Sequence, residues 1–157
     1  MDDIYDILKK KRITYKQVKH RMINTKEDID KIKSKIDGIF VKSVFVRSNL
    51  NRYYMICYDS DKDVDIIKIA NYIGLNRFVV ASKEEVFTIF RLRPSALSPL
   101  SVTCDIYKKT TFLLDRDLVG KTLLVHPNMF SRTISIGYYD VIRIWDSYYA
   151  RYLHMDM

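Results

Sequence analysis

Three histidines, two cysteines, a lysine within a β-rich run and a loop bracketed by prolines are the groups in this 157-residue chain whose types could do chemistry. His20, His126 and His154 lack ligand-like spacing. With no His-Glu-x-x-His, paired Cys-x-x-Cys or carboxylate-rich loop, the sequence predicts no metal site. A P-loop and a dinucleotide fingerprint are also missing, so no cofactor is expected. Ser95, Ser98 and Ser101 do not stand in a Gly-x-Ser-x-Gly elbow, and Cys104 with His126 makes a nucleophile pair only if the fold joins them. Pro94 and Pro99 restrict φ at both ends of Ser95–Pro99 and leave backbone amides free to face a ligand; a plain surface turn is the simpler reading. Lys42, alternating with Val44 and Val46 on one strand face while Val41, Ser43 and Phe45 take the other, reads by itself as a solvated strand lysine. His126, taken alone, is a structural histidine at a strand end.

These groups are positioned by a regular succession of elements. Ile4, Ile7 and Leu8 place a helix over residues 2–11, and Ile29, Ile32 and Ile36 another over 25–36, with a short strand from Ile13 to Val18 between them. Ile39–Val46 and Arg52–Tyr58 form a hairpin around Ser48-Asn49-Leu50-Asn51. A helix over Asp65–Tyr72 stops at Gly74, Asn76–Val80 is a strand, and Ser82 with Glu85 forms a capping box for a helix reaching Phe90. After the loop Arg93–Leu100, strands are predicted at Ser101–Cys104, Thr111–Asp115, Thr122–His126 and Arg132–Ile136, then a last helix from Tyr138 to Tyr152. On that helix Trp145 and Tyr149 are expected inside, with Tyr148 and Arg151 exposed, an aromatic and basic pair able to stack on bases or dock a protein. The interleaving predicts an α/β (α+β) fold with a mixed, mostly antiparallel sheet flanked by helices, in one domain over 1–157.

Composition narrows the setting. At 48% hydrophobic residues the chain can bury a sizeable core, and charges interrupt every apolar run long before the roughly 20 residues of a membrane span. The acidic start, Met1-Asp2-Asp3, is unlike a secretory leader, and the two cysteines are widely separated; a cytoplasmic protein with reduced thiols and no membrane partner is expected. The formal charge of +8 is concentrated early, at Lys9, Lys10, Lys11, Arg12, Lys16, Lys19, Arg21, Lys31, Lys33 and Lys35. Such a field attracts polyanions without reading sequence, and it is also what a solvated face looks like.

From about residue 4 to 150, the element order and several strings resemble the YbaK-like aminoacyl-tRNA deacylases, which include the editing domain inserted in bacterial prolyl-tRNA synthetases and free-standing relatives. The strings are Val41-Lys42-Ser43-Val44-Phe45-Val46, Tyr53-Tyr54-Met55-Ile56, Ala81-Ser82-Lys83-Glu84-Glu85, Leu92 to Leu100, Leu114-Asp115-Arg116-Asp117-Leu118 and His126-Pro127-Asn128. The resemblance gives functional roles to Lys42, to the pocket-lining loop Ser95, Ala96, Leu97, Ser98 and Pro99, and to His126; Ser43 stands where asparagine is common, and Leu100 closes the loop. Three departures touch the pocket. Ser95 and Ser101 replace glycines, which tolerate backbone angles that serine does not, and Cys104 replaces a frequent asparagine.

The resemblance implies hydrolysis of a wrongly attached amino acid, with alanine on tRNA for proline as the first expectation. A proline pocket cannot exclude the smaller alanine, because missing methylene contacts discriminate only about 10- to 200-fold. An activated ester needs a positioned water and a stabilised oxyanion rather than a side-chain nucleophile. The amides of Ala96 to Ser98 are the expected oxyanion donors, Lys42 the holder of the terminal phosphate or ribose, and Lys9, Lys10, Lys11 and Arg12 the tRNA contacts. The partners implied are the aminoacylated tRNA end and a prolyl-tRNA synthetase. A non-catalytic tRNA-binding or synthetase-docking module, and a deacylase for cysteinyl- or seryl-tRNA, are the alternatives.

Overall fold

The computed structural model describes residues 3–157, and among them eight strands form one mixed sheet flanked by five α-helices. In chain order these are α1 (Ile4–Lys10), β1 (Lys16–Lys19), α2 (Lys26–Lys33), β2 (Ile39–Ser48), β3 (Tyr53–Asp59), α3 (Ile66–Tyr72), β4 (Phe78–Val80), α4 (Lys83–Phe90), β5 (Thr110–Asp115), β6 (Thr122–Val125), β7 (Arg132–Gly137), α5 (Tyr138–Ser147) and β8 (Arg151–Met155). Short 3-10 segments cover Pro94–Ala96, Pro99–Cys104 and Arg116–Leu118. The sheet runs β1-β7-β6-β2-β3-β5-β8, with β4 also on β2. Four of its pairings are antiparallel (β1/β7, β2/β3, β2/β4, β6/β7) and three parallel (β2/β6, β3/β5, β5/β8), in keeping with the expected mixed α/β sheet.

Local chemistry accounts for the helix starts. Thr25 with Asp28 and Ser82 with Glu85 each make reciprocal capping boxes, satisfying amides that no intrahelical acceptor reaches. The largest core cluster joins α1, α4, α5 and one face of the sheet through Leu8, Phe45, Phe90, Phe112 and Trp145. A second packs α3 on Tyr54, Ile56 and Leu113, and a third packs α2 on Phe40 and Leu124.

Four expectations need correction. The first helix is shorter, and Asp2, where the sequence reading begins it, lies outside the described residues. The following strand is shifted to Lys16–Lys19, where Val18 is the residue that reaches the core. Ser101–Cys104 is not a strand but part of a 3-10 segment: Pro99 takes its first position, Ser98 caps it, and Ser101 Oγ returns a bond to the Ser98 amide. The last helix stops at Ser147 rather than reaching Tyr152, because Tyr149 turns left-handed at φ 55 and the chain re-enters the sheet as β8. Trp145 is fully buried as expected, but Tyr149 is 79% exposed, beneath the Lys108 ammonium.

Candidate active site

A gap in the sheet makes the site. Along the edge away from β3, β2 pairs first in parallel with β6, through Ile39 and Phe40, and later antiparallel with β4, from Val46 to Ser48. Between these partners, Val41 to Val44 have no described strand beside them on that edge. A cavity of about 460 Å³ fills the gap, within the range of small-molecule sites, roughly 300–1,000 Å³. Its walls are Val41, Lys42 and Ser43 of β2, Pro94, Ser95 and Leu97 of the proline-bracketed loop, His126 just past β6, Phe130, residues Met22 to Lys26 with Ile29, and Ser60 and Asp61 beyond β3.

The loop wall is held from three sides. Trp145 Nε1 donates to the Pro99 carbonyl at 2.8 Å, Ser98 Oγ donates to the His126 carbonyl at 2.6 Å, and Ser101 Oγ bonds Asn128 Oδ1 at 3.2 Å. Asn128, itself left-handed at φ 60, passes the chain on through Thr103 to the Leu100 carbonyl. Neither Ser95 nor Ser101 has a positive φ, so serine at these two positions carries no left-handed strain. Ser101 instead uses its hydroxyl as part of the loop's own cap.

This arrangement corrects the expected oxyanion donors. The amides of Ala96 and Leu97 donate to the carbonyls of Arg93 and Pro94, and the Ser98 amide donates to Ser101 Oγ, so all three are spent inside the loop. Ala96, Ser98, Pro99 and Leu100 are buried behind the wall and do not line the cavity. Ser95 does line it, is exposed, and its amide, in the first turn after Pro94, has no acceptor among the described residues.

His126 is half-buried, with its ring edge-on to Phe40 at 5.8 Å and 5.9 Å from the ring of His20. Its Nδ1 lies 2.8 Å from the Arg132 carbonyl, which can only accept, so Nδ1 carries the proton and Nε2 the lone pair. Burial, with a smaller contribution from His20, pushes the imidazole below its ordinary value of 6.5 and keeps it neutral near pH 7. The sequence reading passed over His20, whose Nε2 meets Thr133 Oγ1 at 2.8 Å; Thr133 is in turn 3.5 Å from His126 Nδ1. It also missed Met22 to Lys26, Phe40, Ser60, Asp61 and Phe130, which only the β2 gap brings together.

Side-chain nucleophiles are poorly provided for. Cys57 is fully buried and its thiol is pushed up to about 12; burial also raises Cys104, which bonds Thr103 and does not line the cavity with His126. Ser98 Oγ donates to one carbonyl and accepts the Leu100 amide. No group of three metal-ligating side chains occurs among the described residues, and no helix among them is long and apolar enough to cross a membrane.

Two further groups of cations line cavities of their own. Lys10 and Lys11 line a separate cavity with Ile7, Ser147 and Tyr148, away from Lys42. Lys19, Arg21, Lys31 and Lys35 line a cavity of about 180 Å³ that shares Ile23 with the main one. Its one acid, Asp28, is committed to the Asn24 and Thr25 amides, which hold its carboxyl below the usual range.

The aminoacyl-tRNA editing domain family matches residues 20–144, a span that includes every residue lining the main cavity. The prolyl-tRNA editing protein ProX of Acetoanaerobium sticklandii is 29% identical over 135 residues, covering 85% of this chain and 82% of its own. Among solved structures, the hypothetical protein APE2540 superposes with a TM-score of 0.71 at 13% identity, covering 96% of this chain and 97% of that one. A protein described as a candidate trans-editing enzyme for prolyl tRNA synthetase superposes with a TM-score of 0.71 at 14% identity, covering 100% and 98%. At these identities the two structures speak for the fold alone.

Proposed function

The chain belongs to the aminoacyl-tRNA editing domain family and is by that membership an aminoacyl-tRNA deacylase; from this premise we propose that it removes alanine from mischarged tRNA for proline, in trans to a prolyl-tRNA synthetase. The observation that supports the reading is the convergence of Lys42, Ser43, Ser95, Leu97 and His126 on one cavity at the β2 gap. The curated relative named for prolyl-tRNA editing supports the choice of tRNA.

In this mechanism Lys42 holds the phosphate or ribose side of the terminal adenosine as a point charge. Water attacks the ester carbonyl. Its oxygen bonds to the acyl carbon, the acyl–ribose C–O bond breaks, and the proton released by water ends on the ribose oxygen, giving free alanine and deacylated tRNA. The neutral His126 accepts a hydrogen bond from the water or from the adjacent free ribose hydroxyl through Nε2, and the Ser95 amide donates to the developing oxyanion. The stiff loop wall limits the acyl group, so the larger proline ring is not seated for attack. The tRNA backbone leaves the cavity over Lys19, Arg21, Lys31 and Lys35, with Lys9 to Arg12 a more distant contact.

Single-turnover hydrolysis of alanyl-, cysteinyl-, seryl- and prolyl-tRNA for proline tests this. Rapid loss of alanine with prolyl-tRNA spared is the expected result. Preferential loss of cysteine or serine would replace the substrate, and survival of all four esters on a tRNA that still binds would replace hydrolysis with a binding role.

A further inference from the structure

The cavity's polar end beyond β3 has no part in the mechanism above. Asp61 is the only acid among the described residues that line the cavity, which Lys26 and Lys42 also line. Beside it, Ser60 Oγ is buried and has no hydrogen-bond partner among the described residues. A buried hydroxyl left unpaired costs about 1–3 kcal/mol unless water or a ligand satisfies it. The Ser60 amide donates to the Phe40 carbonyl, continuing the β2/β3 ladder in which Lys42 faces Tyr58, so Ser60 stands opposite Phe40 on the face that carries Lys42. As diagonal neighbours across the β2/β3 pair, Ser60 and Lys42 stand about 7–8 Å apart.

The turn that carries these groups is pinned. Asp59 Oδ1 accepts the Asp61 amide at 2.9 Å, and Lys62 Nζ reaches the buried Asp115 carboxylate at 2.7 Å, with Asp117 beside it. The Asp61 carboxylate pairs with Lys33 at 3.2 Å, and its side chain is 53% exposed. An exposed pair of this kind is weak and readily exchanged for another cation.

The substrate of a deacylase bears one cation, the α-ammonium of the aminoacyl group, next to the phosphate anions of its nucleotide end. We propose that Asp61 and Ser60 form the subsite for this α-ammonium, Asp61 supplying the charge and Ser60 an acceptor oxygen, while Lys42 holds the opposite, anionic end. The inference rests on the cavity receiving an aminoacyl ester. Its consequence is a selection by charge added to the selection by size: N-acylated esters, the form found in peptidyl-tRNA, lack the ammonium and are passed over, so editing spares growing chains.

The test compares alanyl-tRNA for proline with its N-acetyl derivative under single-turnover conditions, using wild type, Asp61→Asn, Ser60→Ala and Lys33→Ala. Wild type should hydrolyse the free-amine ester roughly tenfold or more faster than the acetylated one, the scale of one hydrogen bond to a charged group. Asp61→Asn should slow the free-amine ester alone and lower the ratio roughly tenfold, toward that of the two esters' uncatalysed hydrolysis, Ser60→Ala should do so partially, and Lys33→Ala should leave the ratio intact. Equal slowing of both esters by Asp61→Asn, or a Lys33→Ala variant that mimics it, would assign Asp61 a merely structural role and overturn the proposal. Equal hydrolysis of both esters by wild type would overturn it too while leaving the deacylase reading standing. If wild type acts on neither ester, the alanine reading on which the subsite depends falls first, and the proposal with it.

Discussion

The two walls of the cavity are built on different principles. The loop wall, Pro94 to Leu100, faces the cavity with Pro94, Ser95 and Leu97 and, the Ser95 amide apart, spends its polar groups holding itself in place: Ala96, Leu97 and Ser98 amides bond within the loop, and Trp145, His126 and Asn128 tie it to the rest of the fold. The strand wall, Lys42 with His126, Ser60 and Asp61, keeps charge, a lone pair and a buried hydroxyl available. One wall is suited to measuring the size of the acyl group and the other to gripping the ends of the substrate. Discrimination and rate should therefore respond separately to substitution.

The largest separation is expected at Lys42. Lys42→Ala should lower the alanyl-tRNA deacylation rate by about 100-fold, the scale for removing a preorganised charge from a site, while the ratio of alanyl to prolyl hydrolysis stays unchanged. Rate and ratio moving together would mean that the two walls do not divide the work. The pH profile carries the next effect. His126 is held below 6.5, so the rate should be level from pH 7.5 to 6.5 and then fall toward tenfold per unit once the imidazole protonates. The same shift gives a stability contribution present above pH 6.5 and lost as pH falls through the folded-state value. His126→Gln should abolish that part of the acid limb of the rate.

On the loop wall, Trp145→Phe removes the donor to the Pro99 carbonyl. It should cost about 1–3 kcal/mol in denaturant unfolding and raise prolyl-tRNA hydrolysis relative to alanyl by a few-fold, with the alanyl rate little changed. The smallest effect concerns the cations. Changing Lys19, Lys31 and Lys35 to Gln should lower the slope of log affinity against log salt by roughly 0.7 for each phosphate no longer neutralised, and more than the same change at Lys9, Lys10 and Lys11 does. A larger drop in slope from the α1 residues would move the tRNA path to the other cavity.

How much of this was readable without coordinates differs between the same two walls. The strand wall's Lys42 and His126 stand in short strings with recognisable neighbours, and the capping signals at Ser82 and Glu85 were local enough to read directly. Ser60 and Asp61 carried no such signal, because they meet Lys42 only through β2/β3 pairing, and Met22 to Lys26 enter only through the order of the sheet. The loop wall's position was legible and its chemistry was not. Two prolines told of restriction, but the choice between amides facing a ligand and amides folded into 3-10 turns depended on Ser101 and Trp145, the latter 46 residues beyond Pro99. At the C-terminus the aromatic spacing of Trp145 and Tyr149 imitated a helical face, and the period-two burial of Arg151–Met155, alternately exposed and partly buried before Met155 enters the core, marks the strand that replaced it.

The most direct test is an NMR titration with 3′-alanylamino-3′-deoxyadenosine, a hydrolysis-resistant mimic of the charged tRNA end. Shifts concentrated at Lys42, Ser43, Ser95, Ser60, Asp61 and His126, with Lys9 to Arg12 unmoved, are predicted if the β2 gap is the deacylation site. Shifts confined to the cavity of Lys10, Lys11 and Tyr148, with the β2 gap silent, would contradict it.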